Sequence, residues 1–152
     1  MTGGHAGPKG TREGGLFHVG GRTACLLLVD SITEAVDSGA GRVVVSGSHG
    51  GTSAGHFALQ ARPALVVFND AGVGKDGAGI AALPLLQAAG MAACTVAHTS
   101  ARIGEAASTL EDGVISQANR AAGALGAAPG RPLWQWLESL RTDGAPTREG
   151  AA

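Results

Sequence analysis

Polar residues with catalytic chemistry occur in three short stretches of the 152-residue chain. The first, "GSHGGTSAG" at 47–55, holds Ser48 and His49, and Asp70 follows directly after a later apolar run. The third stretch, "AHTSAR" at 97–102, holds His98. Imidazole transfers protons near neutral pH, and Ser, His and Asp together support nucleophilic or acid–base catalysis. We therefore predict that Ser48, His49, Asp70 and His98 are catalytic.

The first stretch contains a G-x-S-x-G motif at 51–55 with Ser53 at its centre. This motif resembles the nucleophile motif of α/β hydrolases and of patatin-like lipases. In patatin-like lipases the serine pairs with an aspartate on a later strand, so the resemblance implies a pair of Ser53 and Asp70. The upstream glycine-rich oxyanion loop of that family is not evident. Ser53 also lies seven residues after Ser46, the expected strand end, so its position favours the first turn of a helix over a tight elbow.

Glycine loops and cationic side chains beside these residues are suited to holding a small anion. Backbone N–H groups at helix N-termini bind anions, and arginine binds carboxylate or phosphate with two hydrogen bonds. The stretch 72–77 also spells G-x-G-x-x-G, a dinucleotide pattern, but the next strand ends in His98 and lacks the acid that binds a ribose. The substrate-binding residues that we predict are Gly50, Gly51, Thr52, Ser53, Asn69, Gly72, Gly74, Lys75, Ser100 and Arg102.

Strands and helices must alternate along the chain to position these residues. Apolar runs predict buried strands, and capping boxes at Ser31 and Ser108 predict helix starts. Pro84 should kink its helix or mark a broken start. The alternation predicts an α/β fold, a small three-layer domain with a mostly parallel four- to five-stranded sheet and helices on both faces. Strands are expected at 23–30, 42–46, 64–70 and 91–100, and helices at 31–39, 53–61, 78–90, 108–125 and 132–140.

Ligands bind at the carboxyl ends of the strands in an open parallel sheet. All of the candidate residues follow expected strand ends, so we predict one site at that edge of a single domain spanning 16–140. Residues 1–15 and 141–152 are rich in Gly and charge and poor in apolar side chains. We expect them to be a flexible N-terminal segment and a flexible C-terminal tail.

The composition excludes several classes of function. The formal net charge is −1 and only 15% of residues are charged, so no basic patch predicts nucleic-acid binding. No apolar run reaches the roughly 18 residues of a membrane span, and the N-terminus lacks a signal-peptide pattern. Cys25 and Cys94 lie in apolar runs without C-x-x-C spacing, which favours two buried reduced thiols in a cytoplasmic protein.

The sequence is most consistent with a small cytoplasmic enzyme that acts on a polar, anionic small molecule, with hydrolysis favoured over lyase or isomerase chemistry. The alternative is a non-catalytic phosphate- or nucleotide-binding regulatory module that uses the glycine-rich loops. A metal held by His49, Asp70 and His98 lacks any short ligand spacing, so we expect neither metal nor cofactor. Small Ala and Gly residues let helices pack closely, and we expect a homo-oligomer.

Overall fold

The computed structural model describes residues 15–142, which form six strands, five α-helices and two 3-10 helices. The strands are β1 (Leu16–Val19), β2 (Arg22–Val29), β3 (Val43–His49), β4 (Leu65–Asn69), β5 (Ala92–Val96) and β6 (Ile115–Ala118). The α-helices are α1 (Thr52–Ala61), α2 (Ala82–Ala88), α3 (Ala106–Asp112), α4 (Arg120–Ala124) and α5 (Leu133–Ser139). The first 3-10 helix is Ile32–Ala35 and the second is Lys75–Ile80.

The strands form one mixed sheet in the order β1-β2-β3-β4-β5-β6. The four central strands, β2 to β5, are parallel, whereas β1 and β6 pair antiparallel at the two edges. The α/β class is therefore confirmed, but the predicted mostly parallel sheet of four to five strands is corrected to a six-stranded mixed sheet that curls into a half-barrel. β1 was missed because it is a four-residue edge strand, joined to β2 by a tight turn at Gly20 and Gly21.

Alternation along the strands divides the core into two clusters on opposite faces of the sheet. In β3, Val43 and Val45 belong to cluster one, while Val44 belongs to cluster two. Cluster one joins the sheet to α3, α4 and α5, and its largest members are Phe17, Leu110, Ile115, Leu133 and Trp136. Cluster two joins it to the first 3-10 helix, α1 and α2 through Ile32, Ala54, Ala58, Phe68 and Leu86.

The single helix expected at 108–125 is wrong, since the segment forms α3, β6 and α4 in turn. Gly113 ends α3 in extended backbone, where a Cβ would collide with the Thr109 carbonyl oxygen. Ser108 is buried within α3 and does not cap its start. The apolar residues from Val114 onward satisfied a helical spacing, but they also satisfy the alternation of a short strand.

Two other expected helices begin or end differently from their sequence signals. Ser31 does cap a helix, but that helix is only the four-residue 3-10 turn at Ile32–Ala35. Pro84 lies in the first turn of α2, where its missing N–H costs no helical hydrogen bond, and it therefore marks the broken start. In α5 Trp136 is fully buried, whereas Trp134 is partly buried and packs against cluster one.

The ends of the described chain pack on β1. Phe17 forms a bridge with Arg141, and the Thr142 amide donates to the Leu16 carbonyl. The packed region thus extends to Thr142, while the expected flexible segments otherwise lie outside the described residues. Cys94 is buried as expected, but Cys25 is exposed on β2. Within residues 15–142, no helix is long and apolar enough to cross a bilayer.

Candidate functional site

The carboxyl ends of β3, β4 and β5 bring most of the predicted site residues to one edge of the sheet. His49 and Asn69 are in register at the ends of β3 and β4, and the Gly50 amide donates to the Asn69 carbonyl. The Asp70 amide donates to the carbonyl of Val96, the last residue of β5. These backbone contacts place the loops after the three strands side by side, as the parallel arrangement requires.

Asp70 is the most constrained ionisable residue at this edge. It is only 4% exposed, and its Oδ1 accepts the N–H groups of Gly72 at 2.7 Å and of His98 at 3.0 Å. Burial raises the pKa of the carboxyl, but hydrogen bonds from Gly72, Ser116 and His98 and the charge of His98 together hold that pKa below its ordinary value. Asp70 is therefore an ionised, fixed carboxylate at neutral pH.

His98 places its imidazole on this carboxylate and leaves half of its surface open to solvent. The Nδ1 atom lies 3.5 Å from Asp70 Oδ1, and the side chain is 52% exposed. Behind the ring lies Gly72, where a Cβ would meet the imidazole Cε1 at 3.4 Å. The pair therefore has the geometry of an imidazole held by a buried carboxylate, with Nε2 available to a ligand or water.

Ser116 lies on β6 and influences Asp70, and it was not among the predicted site residues. Its side chain helps to lower the Asp70 pKa, and its hydroxyl lies 2.9 Å from the buried Thr95 hydroxyl. The error came from the helix assigned to 108–125. "GVISQAN", a β-branched run between Gly113 and Asn119, was the available signal for a strand.

The glycine loop after Asp70 has an unusual backbone. Ala71, Val73 and Asp76 adopt positive φ angles, as do Gly72 and Gly74 between them. Positive φ is a strained conformation for a β-branched residue such as valine. A Cβ at Gly79 would collide with the Asp70 carbonyl. The chain passes so close to Asp70 at this point that only glycine fits.

Most amides of this loop are used within it. The Gly72 amide binds the Asp70 carboxylate, and the Gly74 amide donates to the Gly72 carbonyl at 2.8 Å. The Val73 and Gly79 amides also have acceptors inside the loop. This use of the N–H groups weakens the case for Gly72 and Gly74 as direct contacts to an anion, and it makes the loop a rigid support for Asp70 and His98.

Several predicted hydroxyl and amide side chains hold the backbone together. Ser48 Oγ accepts the Ile32 amide at 2.9 Å, and Ser100 Oγ donates to the Ala97 carbonyl at 2.7 Å. Asn69 is fully buried, and its Nδ2 donates to the Ala101 carbonyl at 3.1 Å. These bonds fix the loops of the edge in place, and within residues 15–142 neither serine has a hydrogen bond to an imidazole.

Ser53 lies in the first turn of α1, as its spacing predicted, and its side chain is exposed. Among the described residues, no hydrogen bond joins Ser53 to Asp70, so the pair implied by the patatin-like resemblance is not formed. The exposed His49 imidazole lies over Gly51, where a Cβ would be 3.2 Å from Nε2. Gly50 is buried, and Thr52 begins α1 on the exposed side.

Arg102 lies in the same shallow cavity as His98. The cavity encloses about 580 Å³, and its lining runs from His98 to Ile103 and includes Ser108 and Asp112. The Arg102 guanidinium is 79% exposed and 3.9 Å from Glu105, and its backbone N–H is fixed by Ser108 Oγ at 3.0 Å. Lys75 is exposed on the glycine loop and has no ion-pair partner within residues 15–142.

The part of the chain that the structure describes contains no group of three His, Cys, Asp or Glu residues that could hold a metal ion. The site is thus defined by Asp70 and His98, with a guanidinium in the same cavity. Comparisons with family models, with curated proteins and with solved structures give no match to this chain.

Proposed function

We propose that the carboxyl edge of the sheet is the active site of a small enzyme that acts on a polar, anionic small molecule. His98 transfers the proton, Asp70 stabilises the imidazolium and fixes the ring, and Arg102 binds the anion. Hydrolysis is favoured over lyase or isomerase chemistry. The observation that carries the proposal is the contact between the buried Asp70 carboxylate and the half-exposed His98 imidazole in the cavity that Arg102 lines.

Activated water is the nucleophile in this proposal. The hydroxyl groups of Ser48 and Ser100 are engaged with backbone groups, which reduces their availability for attack. His98 Nε2 is the solvent-facing base, because Nδ1 is directed at Asp70. His98 takes a proton from a bound water, and the water oxygen attacks the carbonyl carbon or the phosphorus of the ester. The bond to the leaving oxygen then breaks, and His98 returns the proton to that oxygen.

The test is hydrolysis of p-nitrophenyl acetate, mono-p-nitrophenyl succinate and p-nitrophenyl phosphate by the wild type, His98→Gln and His56→Gln. His56 is an exposed histidine on α1 and serves as the matched control. We expect His98→Gln to lower kcat/KM by about 10²–10⁴-fold with the anionic ester preferred, and His56→Gln to have no effect. Equal rates for the two variants would contradict the role of His98.

The second candidate is a non-catalytic module that binds the same anions. The exposed cations Lys75 and Arg102 at this edge favour it. Calorimetric binding of inorganic phosphate that is lost in Arg102→Gln, together with no turnover of any ester, would establish binding over catalysis.

We also propose that the protein acts in the cytoplasm as a homo-oligomer. Both cysteines are free, which suits a reducing compartment. Among residues 15–142, Ile103 is the large apolar side chain that is exposed, at 52%. It is therefore the residue available to contact a second copy. Light scattering on the wild type and on Ile103→Ser tests this, since a monomer in both would reject the oligomer.

A further inference from the structure

The amino edge of the parallel strands, opposite the proposed active site, carries an arginine before or at the start of three strands. Arg22 begins β2, Arg42 directly precedes β3, and Arg62 lies three residues before β4. Arg120, the first residue of α4, is exposed and follows β6, whose last residue pairs near the amino end of β5. This edge is therefore cationic.

A cavity of about 570 Å³ opens at this edge between two of these arginines. Arg22 and Arg62 line it together with apolar side chains that belong to cluster one or pack against it, so its floor is the open end of that core. Its volume falls in the range of small-molecule sites, which combine apolar walls with a few polar groups. The apolar lining from cluster one and its neighbours is Val19, Ala64, Ala92, Ala121 and Leu125, and Pro63 and Met91, the latter packed against cluster two, complete it.

Within residues 15–142, no carboxylate neutralises the guanidinium of Arg22 or of Arg62, because none lies within ion-pairing distance. Gly41 lies between the two residues. Its amide donates to the Arg62 carbonyl at 3.0 Å, and a Cβ built on it would approach the Arg22 guanidinium. Two unpaired guanidiniums beside an apolar cavity favour an anionic ligand.

Arg62 also occupies a backbone position that favours glycine. It caps the end of α1 with φ 56 and ψ 51, the left-handed conformation in which helices most often place glycine. A glycine there would relieve the strain but remove the guanidinium from the cavity. The side chain thus occupies a position at which the fold alone favours a different residue.

From these observations we infer that the cavity at the amino edge binds a small organic anion with an apolar body, a carboxylate or a phosphate ester. The anionic group contacts Arg22 and Arg62, and the apolar body lies against the end of cluster one. This site is separate from the proposed active site, which lies at the other ends of the same strands.

Calorimetric titration of the full chain with 2-naphthoate, 2-naphthyl phosphate and neutral 2-naphthamide tests the inference. We expect one bound naphthoate or naphthyl phosphate per chain and at least about tenfold weaker binding of the amide, which has the same apolar body. The stronger of the two anions identifies the preferred group. Equal affinity for anion and amide, or no binding of either at millimolar concentration, would overturn the inference.

Three variants locate the binding. Arg22→Gln and Arg62→Gly should each weaken naphthoate binding about tenfold or more, while Arg131→Gln, which removes a charge outside both cavities, should not change it. Arg62→Gly relieves the left-handed backbone strain at this position, and a wild-type Tm of the variant separates a loss of binding from unfolding. Equal weakening by Arg131→Gln would show that net charge alone attracts the ligand. Ester hydrolysis by these variants reports the active site independently, so the two proposals can fail separately.

Discussion

The backbone N–H and the imidazole Nδ1 of His98 both face Oδ1 of Asp70, at 3.0 and 3.5 Å respectively. One carboxylate oxygen thus fixes the start of the loop after β5 and orients the ring that the loop carries. Asp70 itself is tied to β4 and β5 by the bond from its amide to the Val96 carbonyl. The solvent-facing nitrogen of His98 is consequently positioned by the sheet, and a ligand is not needed to position it.

Gly72→Asn should reduce turnover with little loss of stability. Asparagine tolerates positive φ, so the φ of +78 at this position is not prohibitive, but the β-carbon would lie 3.4 Å from the His98 ring and the atoms beyond it compete for that space. We expect kcat for the anionic ester to fall by about 10–100-fold, because small misplacements of a catalytic group have effects of this size.

Gly90→Asn is the matched control for this substitution. Gly90 has φ +76, and a β-carbon there has no atom within 4 Å. Thermal unfolding should give similar Tm values for the two variants, and only Gly72→Asn should lose activity. Full activity of Gly72→Asn would show that the ring position does not limit the reaction.

The stability of the protein should depend on acid through Asp70. Its folded-state pKa lies below the unfolded value of about 3.9, so the unfolded state binds the proton more tightly. The stabilisation is therefore complete above pH of about 4 to 5 and is lost as the pH falls through the folded-state pKa. Urea unfolding between pH 7 and pH 3 measures this loss.

Asp70→Asn should destabilise the protein at pH 7 by about 1–3 kcal/mol and should show a flatter pH dependence at acidic pH. Asp37→Asn, which removes an exposed carboxylate, is the control and should follow the wild type. A wild-type acid dependence that persists unchanged in Asp70→Asn would assign it to other carboxylates.

The sequence could predict the parallel centre of the sheet but not its edges. Strands buried on both faces need near-continuous apolar runs, and "RVVVS" and "ALVVFND" meet that requirement in β3 and β4, whereas β2 keeps Thr23 and Cys25 exposed although its run "TACLLLVD" is also apolar. The edge strand β6 is four residues long, and in an alanine-rich chain its apolar positions fit both periods equally well. The antiparallel pairing that places Ser116 near Asp70 therefore depended on the short signal at 113–119, which the helical spacing outweighed.

The candidate site shows the same division. The parallel pairing of β2 to β5 brings the loops that follow these strands to one edge, which is why their proximity could be predicted. Which hydroxyl meets which partner depends on contacts between loops distant in sequence. Ser48 accepts the amide of Ile32, 16 residues away, and Asn69 donates to Ala101, 32 residues away. Neither contact leaves a trace in local residue spacing.

The two cysteines should differ sharply in reactivity. Cys25 is exposed on β2, whereas burial raises the pKa of the Cys94 thiol to about 12 and shields the sulfur from reagents. In native protein at pH 8, Ellman's reagent should label one thiol rapidly, and Cys25→Ser should leave none. Both thiols should react in guanidinium chloride. Two rapid equivalents in the native protein would contradict the burial of Cys94.

Asn119 should be among the most sensitive polar residues in the protein. It is 8% exposed, and its Oδ1 accepts the amides of Ala93 at 3.1 Å and Ala122 at 3.0 Å. Its Nδ2 donates to the carbonyls of Leu83 at 3.3 Å and Met91 at 2.8 Å. One side chain thereby joins the start of α4 to β5 and to α2.

Asn119→Ala should lower the free energy of unfolding by about 2–4 kcal/mol, because it leaves buried backbone groups without partners and removes the cap of α4. Gln117→Ala on β6 is the control, since Gln117 is exposed and its loss should change stability by less than about 0.5 kcal/mol. Urea unfolding monitored by Trp134 and Trp136 fluorescence measures both. Asn119→Asp keeps the acceptor for Ala93 and Ala122 but turns a carboxylate oxygen toward the carbonyls of Leu83 and Met91. Repulsion and the burial of charge should make it at least as destabilising at pH 7 as Asn119→Ala. Equal stability of Asn119→Ala and Gln117→Ala would mean that the four bonds contribute nothing to the native state.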